Sequence, residues 1–474
     1  YLGNGTFTQT GGIKSVSGDL KIGFTSVDSI GTYNLSNVGS LSTNYVLLGD
    51  DGTGIFNQTG GTHAVNRLTT GGIGTGVYNL SAGSLTADIE IISEYKNGTF
   101  NQTGGTHNAG SIRIGELGGH GIYNLSAGSL SIGSLTLGIN WDVVGTFNQT
   151  GGTHTVGGLV LGDFGNGIGF YNLSGGSVTV IGDELIGDIG KGTFSQTGGT
   201  HVINGQLIIG DEYYKKTRNP TGVYKLIAGD LSTTNVIIGV AATTTSAVTG
   251  TGTFTQTGGT HIVSGTMTVA TSLNPQGDDN FAFYNLNGGN LTAANIVVNS
   301  GGHFNFNGGT LSVGNFTGNL VNNGGTLAPG SSPGITNISG DYTQSVTGIF
   351  AVEIGGLLAG TEYDVLNISG IANLDGTLNV SLDDFGSGQF SPQLGDSFDV
   401  LLAQQLQGSF STLLYAALDP GLKWQIEYLI DAIDTTDVVR LSVVAAVPLP
   451  TAFWLFSSGL LGLFGFIRKP RAIS

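Results

Sequence analysis

Hydrophobic and polar residues alternate in a short unit that recurs along much of the chain. In Gly145–His154, which reads GTFNQTGGTH, Phe147 and Gln149 share one face while the residues next to them share the other. A sister unit, GFYNLSGGSV, places Tyr171 and Leu173 in the same two positions. Because alternation with a period of two is typical of β-strands, each unit is predicted to begin with a strand.

The two units are versions of one repeat when they are aligned on their aromatic residue, which is alternately Phe and Tyr. The aromatics are mostly 22 to 24 residues apart, and 30 apart near the end of the series. The thirteen aromatics are Phe7, Tyr33, Phe56, Tyr78, Phe100, Tyr123, Phe147, Tyr171, Phe194, Tyr224, Phe254, Tyr284 and Phe304. A period this short predicts a solenoid, in which each repeat buries its apolar side chains only against its neighbours.

Each repeat has room for three short strands separated by glycine-rich corners. In the first unit quoted above, the second and third strands are predicted at Thr153–Val156 and Gly158–Gly162. The predicted fold class is therefore all-β, a parallel β-solenoid (β-helix) of about 13 rungs stacked at about 4.8 Å. In this stack the thirteen aromatics form a structural ladder. The asparagines that follow them are expected to form an amide ladder, namely Asn34, Asn57, Asn79, Asn101, Asn124, Asn148 and Asn172.

The repeat period divides the chain into three predicted parts. Residues 1–315 are the β-solenoid repeats. From residue 316 the period is lost, and alternating strands with longer loops, such as Gly376–Leu382, predict a C-terminal β cap domain over residues 316–446. Such a cap would cover the unpaired end of the solenoid and so prevent aggregation.

The third part, residues 447–474, has the pattern of a membrane segment. Thr451–Ile467 is an uncharged apolar run of 17 residues, and Arg468, Lys469 and Arg471 follow it. This length is at the short limit for a membrane span, and the positive-inside rule keeps the basic residues in the cytoplasm. We therefore expect a C-terminal hydrophobic transmembrane helix with a cytoplasmic basic stop; a buried core helix is the alternative.

Composition narrows the choice of partners and compartment. The chain has 474 residues and 84 glycines, 32 Asp and Glu against 15 Lys and Arg, and no cysteine. An acidic surface disfavours nucleic acid, so no nucleic-acid partner is predicted. The absence of cysteine excludes thiolate metal sites and cysteine nucleophiles. The chain begins at Tyr1 without an initiator Met or a signal peptide, which we interpret as a trimmed or incomplete N-terminus of an exported protein.

Five histidines occupy one repeat position, where the sister repeat has Leu or Val: His63, His107, His154, His201 and His261. Histidines two rungs apart are separated by roughly 9.6 Å, which is too far for two of them to share one zinc ion. No acidic residue recurs beside them in the sequence. We therefore interpret them as a half-buried structural position rather than a metal array, and predict no cofactor.

Gly-Asp turns, such as Gly49–Gly52 and Gly162-Asp163, are superficially similar to calcium-binding repeats. The calcium β-roll needs a tandem nonapeptide, whereas these Asp residues are separated by whole repeats. Asp and Gly are also the residues that ordinary turns prefer. The preference of turns for Asp and Gly therefore explains these Gly-Asp pairs, and incidental calcium binding is left open.

The sequence does not show the side-chain clusters that catalysis needs. Polysaccharide lyases and hydrolases require paired carboxylates or a cluster of acidic and basic groups on one face. Here the acidic residues lie mainly in turns, and Arg67, Arg113 and Arg218 share no repeat position. We predict that the protein is not an enzyme, with a polysaccharide-degrading enzyme as an alternative.

A glycan-binding adhesin is a further alternative, and it predicts a cluster on an outward face that breaks the repeat. The candidate is the insertion between residues 211 and 220, which contains Tyr213, Tyr214, Lys215 and Lys216.

The region from Gly324 to Val444 resembles the segment that closes autotransporter passenger β-helices and exosortase-sorted surface proteins. The resemblance is carried by GGTLAPGSSPGITNISGDYTQ, followed by the strands YDVLNISG and GTLNVSL. An autotransporter would need a membrane barrel of many further strands, and too few residues follow the cap.

The C-terminus, VPLPTAFWLFSSGLLGLFGFIRK, is similar to the PEP-CTERM sorting signal in its Val-Pro-Leu-Pro variant, at Val447, Pro448, Leu449 and Pro450. It lacks the Glu of the Pro-Glu-Pro form. The resemblance implies export from a Gram-negative bacterium that produces exopolysaccharide, transient anchoring in the inner membrane, and processing by an exosortase near these prolines.

Together these observations predict a non-enzymatic structural protein of the cell surface or biofilm matrix. The protein would be extracellular or cell-surface and membrane-anchored before processing. Its expected partners are the exosortase during sorting and then exopolysaccharide or like molecules, with possible self-assembly into filaments.

Overall fold

The computed structural model describes residues 4–24, 26–211, 220–240, 250–271, 281–330, 333–384, 388–433 and 435–446. Within these ranges the chain forms strands and turns and no helix. The prediction of an all-β fold is therefore confirmed for this part of the chain.

Thirty-one strands are numbered in chain order. The first ten are β1 Gly5–Gln9, β2 Ile13–Ile22, β3 Ile30–Leu35, β4 Ser40–Leu48, β5 Thr53–Thr70, β6 Thr75–Ile92, β7 Gly98–Ile114, β8 His120–Leu137, β9 Val144–Gln149 and β10 Thr153–Leu161. The next ten are β11 Ile168–Leu173, β12 Ser177–Val180, β13 Glu184–Ile186, β14 Lys191–Gln196, β15 Thr200–Ile209, β16 Thr221–Leu226, β17 Asp230–Ile238, β18 Thr251–Val269, β19 Ala282–Val298 and β20 Gly302–Thr317. The last eleven are β21 Leu320–Asn322, β22 Thr326–Leu327, β23 Ile335–Ser339, β24 Tyr342–Gln344, β25 Ile349–Ile354, β26 Val365–Leu374, β27 Thr377–Leu382, β28 Ser397–Gly408, β29 Thr412–Tyr415, β30 Leu422–Ile433 and β31 Thr436–Ala445.

Strands of the repeat region pair in parallel with the strands one repeat earlier and one repeat later. β1 pairs with β3, β3 with β5 and β5 with β6, so that Phe7, Tyr33, Phe56 and Tyr78 lie opposite one another in turn. The aromatic positions stay in this register as far as β20. The predicted parallel arrangement is confirmed.

Several repeats form one long bent strand, where three short strands were predicted. β5 runs without a break through eighteen residues, whereas the equivalent residues of a later repeat form the separate strands β9 and β10. Glycine makes the bend possible. A Cβ on Gly61, whose φ is +70°, would lie 2.1 Å from the carbonyl oxygen of Gly39 in the preceding repeat, so only glycine fits between these stacked corners.

The core consists of columns of equivalent side chains. In the repeat that begins with β5, the inward positions are Phe56, Gln58, His63, Val65, Leu68 and Thr70, all of them buried. Most of the corresponding positions in other repeats are aromatic or aliphatic. The polar members of these columns are therefore the unusual residues of the core.

Parallel pairing continues past residue 315, the predicted boundary of the repeats. β20 pairs with β21, β22 and β23, and these pair in turn with β24, β25 and β26. The last strands of the sheet do not all pair in parallel. β28 pairs with β26 in parallel on one side and with β31 in antiparallel fashion on the other, and β30 pairs antiparallel with β31.

Candidate functional site

The thirteen aromatic rings form one uninterrupted stack. Successive ring centroids are 4.6 to 5.3 Å apart. The rings from Phe56 to Tyr284 are completely buried, while Phe7 at the start of the series is 46% exposed. Because offset stacking contributes about 0.5 to 1.5 kcal/mol per pair beyond burial, this column is a major source of stability.

The amide ladder predicted from the sequence is present on the outer side of the same strands. From Asn57 to Asn172, each Nδ2 donates a hydrogen bond of 2.8 to 2.9 Å to the Oδ1 of the asparagine one repeat earlier, beginning with Asn34. The column then continues with Ser195 and Lys225, so the ladder is interrupted there.

Buried polar side chains form a cluster that joins a Phe repeat to the Tyr repeat after it in five places. The Tyr78 hydroxyl donates to Gln58 Oε1 at 2.6 Å and lies 2.9 Å from His63 Nδ1. The Gln58 amide donates to the carbonyl of Ser84. This Gln–Tyr–His cluster recurs around His107, His154, His201 and His261, with tyrosine–histidine distances of 2.9 to 3.1 Å.

The hydrogen bonds of the cluster determine where the histidine proton lies. Since the tyrosine hydroxyl donates its one proton to glutamine, the histidine Nδ1 must carry the proton and donate to the tyrosine oxygen. Nε2 of a neutral histidine is then an acceptor. At His63 and His261 it can accept from the hydroxyls of Thr43 and Thr233, at 3.3 and 3.2 Å.

At two other histidines, His107 and His201, Nε2 faces a buried glutamate rather than a threonine hydroxyl. His107 Nε2 lies 2.7 Å from Glu90 Oε1, and neither side chain is exposed to solvent. Two acceptors cannot approach this closely unless a proton lies between them, so the pair holds one proton. His201 Nε2 and Glu184 Oε2 are likewise buried and 2.9 Å apart, but their geometry is not that of a hydrogen bond. Because solvent does not reach these groups, the pairs are suited to a structural role rather than to acid–base catalysis.

Burial keeps the other three histidines neutral. Desolvation, together with a smaller contribution from the histidines of neighbouring clusters, lowers the pKa of His63, His154 and His261 to about 3. These three side chains are thus uncharged at neutral pH, which agrees with the acceptor role of Nε2 at His63 and His261.

The structure corrects two sequence-based expectations about the histidines. The half-buried position is in fact fully buried in all five repeats. Acidic partners are present for two of them, because Glu90 and Glu184 occupy an inward position that holds Leu68 or Ile112 in neighbouring repeats. Aligning the repeats at this position would have revealed the glutamates as charged residues in an aliphatic column.

Carboxylates also meet at one corner of the sheet. Asp163 and Asp188 lie in equivalent turns of successive repeats, and burial together with the charges of Asp163 and Asp211 raises the pKa of Asp188 to about 7. Among the residues that the structure describes, no group of three or more His, Asp or Glu side chains is placed to hold a metal ion. Incidental calcium binding stays a prediction.

One buried carboxylate joins the two halves of the motif that resembles surface-protein closing segments. Asp364, in the YDVLNISG strand, accepts hydrogen bonds from the backbone amides of Gly334 and Glu353, at 2.7 and 2.9 Å. Gly334 belongs to the first half of the motif. Burial raises the pKa of Asp364 to about 7.

Several predicted site residues lie outside the described ranges. They are the insertion residues Tyr213, Tyr214, Lys215 and Lys216, the sorting motif Val447, Pro448, Leu449 and Pro450, and the basic stop Arg468, Lys469 and Arg471. The apolar run Thr451–Ile467 lies there too. Within the described ranges, no helix has the length and hydropathy needed to cross a membrane.

No protein-family model matches the chain, and no curated protein has a matching sequence. A functional conclusion therefore depends on the residues and the geometry themselves.

Proposed function

We propose that this chain is a non-enzymatic structural protein of the bacterial cell surface or biofilm matrix, whose repeats form a β-solenoid. The observation that carries the proposal is the continuous stack of thirteen aromatic rings between parallel strands that pair in register. Such stacking produces a stiff element from short, similar repeats. The buried polar groups support a structural role, since the Gln–Tyr–His clusters are closed to solvent.

The proposed location depends on the C-terminal resemblance to the PEP-CTERM signal. In this proposal Thr451–Ile467 anchors the precursor in the inner membrane, and an exosortase cleaves near Pro448 and Pro450. The released protein then joins the exopolysaccharide outside the cell.

Processing can be tested by expressing the chain behind a Sec signal peptide in a Gram-negative host with and without an exosortase. We expect a shortened protein in the extracellular matrix fraction only when the exosortase is present. Replacing Pro448 and Pro450 by Ala should leave the precursor in the membrane fraction, whereas Asn79→Thr, on the outer face, should be processed normally. Processing in the host without exosortase would contradict the proposal.

Self-association is proposed at the first strands of the repeat region. Within the described residues, β1 and β2 each pair with a strand on one side only, β3 and β4. Phe7 and Ile13 in these strands are 46% and 88% exposed. Because the other end of the sheet finishes in the antiparallel strands β31 and β30, pairing at β1 joins two copies head to head.

We therefore expect residues 1–446 to form a concentration-dependent dimer, measured by light scattering and electron microscopy. Thr8→Lys should weaken the dimer, since charge on an edge strand opposes edge pairing. Thr86→Lys, on an exposed face in the middle of the repeats, is the matched control. A monomer at every concentration would contradict this proposal, and filaments would identify a second contact elsewhere.

A further inference from the structure

One of the five buried histidines, His154, differs from the others at Nε2. At His63 and His261 this atom can accept a hydrogen bond from a threonine hydroxyl. At His107 and His201 it lies within 3 Å of a glutamate oxygen, at 2.7 and 2.9 Å. Within the described residues, Nε2 of His154 has no hydrogen-bond partner, although the side chain is buried.

The preceding repeat explains why His154 has no threonine partner. Thr43 lies in the repeat before His63, two residues after the residue that pairs with the histidine. Ile132 occupies that position for His154. Because isoleucine has no hydrogen-bonding group in its side chain, it cannot satisfy Nε2 as Thr43 does.

A buried carboxylate in the following repeat also has oxygen atoms without partners. Glu184 lies in the repeat between those of His154 and His201. Its Oε2 is 2.9 Å from Nε2 of His201, but neither of its oxygens makes a hydrogen bond within the described residues. Since buried polar groups are normally hydrogen-bonded, His154 Nε2 and Glu184 Oε1 indicate a further group between these repeats.

Both of these atoms are hydrogen-bond acceptors. The Tyr171 hydroxyl donates to Gln149 Oε1 at 2.6 Å and lies 2.9 Å from His154 Nδ1, so the histidine proton lies on Nδ1 and not on Nε2. Burial lowers the pKa of His154 to about 3, which keeps Nε2 unprotonated at neutral pH. Oε2 is the oxygen of Glu184 that faces His201, which leaves Oε1 as an acceptor.

The chemistry of the two acceptors restricts what can lie between them. They belong to successive repeats, about 4.8 Å apart along the stack, and need a group that donates two hydrogen bonds. A structural metal ion needs about four ligands, and no group of three His, Asp or Glu side chains in the described part of the chain is placed to hold one. Water donates twice, is uncharged and commonly bridges buried polar groups in protein interiors.

We infer that one buried water molecule binds between His154 and Glu184 and donates a hydrogen bond to His154 Nε2 and another to Glu184 Oε1. The water joins the Gln–Tyr–His cluster of His154 to the neighbouring pair of Glu184 and His201. Polar contacts then run through three successive repeats of a largely apolar core. The inference goes beyond the proposed function and depends neither on the location of the protein nor on its self-association.

Oxygen-17 relaxation dispersion of water tests the inference, because it counts the water molecules that stay inside a protein long enough to exchange slowly with solvent. The sample is the full chain purified in detergent. We expect His154→Leu to contain one long-lived water molecule fewer than the parent, and Glu184→Leu likewise. Leucine is the native residue of the same columns at Leu130 and Leu159, so both variants should fold.

The double variant gives the sharpest result. If His154 and Glu184 hold the same water, replacing both by Leu should also remove one long-lived water molecule, and not two. His63→Leu is the matched control, since Nε2 of His63 has Thr43 as a partner, and it should keep the parent number.

A crystal structure of the parent should show water about 2.8 Å from both acceptor atoms. An unchanged count in either single variant, loss of two waters in the double variant, or direct contact between His154 and Glu184 in the crystal would overturn the inference. None of these measurements involves processing or dimer formation, so failure of the water site is distinguishable from failure of the proposed function.

Discussion

Replacing His107 by Leu is expected to lower the free energy of unfolding by about 3 to 5 kcal/mol at neutral pH. The substitution leaves Glu90 Oε1 without the His107 Nε2 group that lies 2.7 Å from it, in a place that solvent does not reach. Removing one member of a buried, hydrogen-bonded ionisable pair is costly because the remaining group stays desolvated and loses its partner. Denaturant unfolding monitored by circular dichroism would measure the change.

The repeats provide a matched control for this experiment. His63→Leu makes the same substitution in the same column, where Leu85 is the native residue one repeat later. It removes hydrogen bonds to Tyr78 and Thr43 but exposes no carboxylate, so we expect a loss of about 1 to 2 kcal/mol. Adding Glu90→Leu to His107→Leu should recover much of the lost stability, since Leu68 occupies the equivalent position. Equal losses for His63→Leu and His107→Leu would contradict the added cost of leaving Glu90 without its partner.

Replacing His63, His154 and His261 together by Leu is expected to change how stability depends on pH. In the unfolded chain these histidines bind a proton below about pH 6.5, whereas in the folded protein their pKa is about 3. Folding therefore opposes protonation of these histidines. The stability linked to their neutral form is present above pH 6.5 and is lost as the pH falls towards 3. Each contributes about 1.4 kcal/mol per pH unit in that window.

The test uses the difference in unfolding free energy between parent and variant, because the stability that two carboxyl groups contribute changes with pH in the opposite direction. Burial raises the pKa of Asp188 and Asp364 to about 7, so these groups favour the folded state as the pH falls through 7 towards about 4. This contribution is common to both proteins and cancels in the difference. The triple variant should be less stable at pH 7 and gain up to about 4 kcal/mol per pH unit relative to the parent below 6.5.

The two stability curves should therefore cross between about pH 5 and 6. Guanidinium unfolding midpoints at pH 7.5, 6, 5 and 4.5 would locate the crossing. A control with Asn57→Thr and Asn148→Thr, on the outer amide ladder, should follow the parent at every pH. Parallel curves for parent and triple variant would contradict the low pKa values.

The repeat geometry could be predicted from the sequence because it depends on local alternation and a regular period. The spacing of Phe and Tyr identified which residues face one another across strands, as the pairing of Phe56 with Tyr78 illustrates. The amide ladder followed from the same alignment. Each of these features needs only the assumption that equivalent positions stack.

Features that depend on three-dimensional neighbours were not predictable in the same way. Glu90 meets His107 because the bend between Ala87 and Ile89 changes which residues point inward, while pairing brings the next repeat alongside. The contact of Asp364 with Gly334 joins residues from separate turns.

The Gln–Tyr–His cluster also restricts how such a chain can change in length during evolution. From Tyr78 to Tyr284, each ladder tyrosine hydroxyl bonds to glutamine and histidine of the Phe repeat before it, whereas a Tyr repeat has Leu125 and Leu130 in those two places. Duplicating a single Tyr repeat would leave the second hydroxyl buried without these partners, at a cost of about 1 to 3 kcal/mol. Unequal recombination between gene copies is therefore tolerated best when it adds or removes a Phe repeat together with its Tyr repeat, so the array should grow and shrink in steps of two.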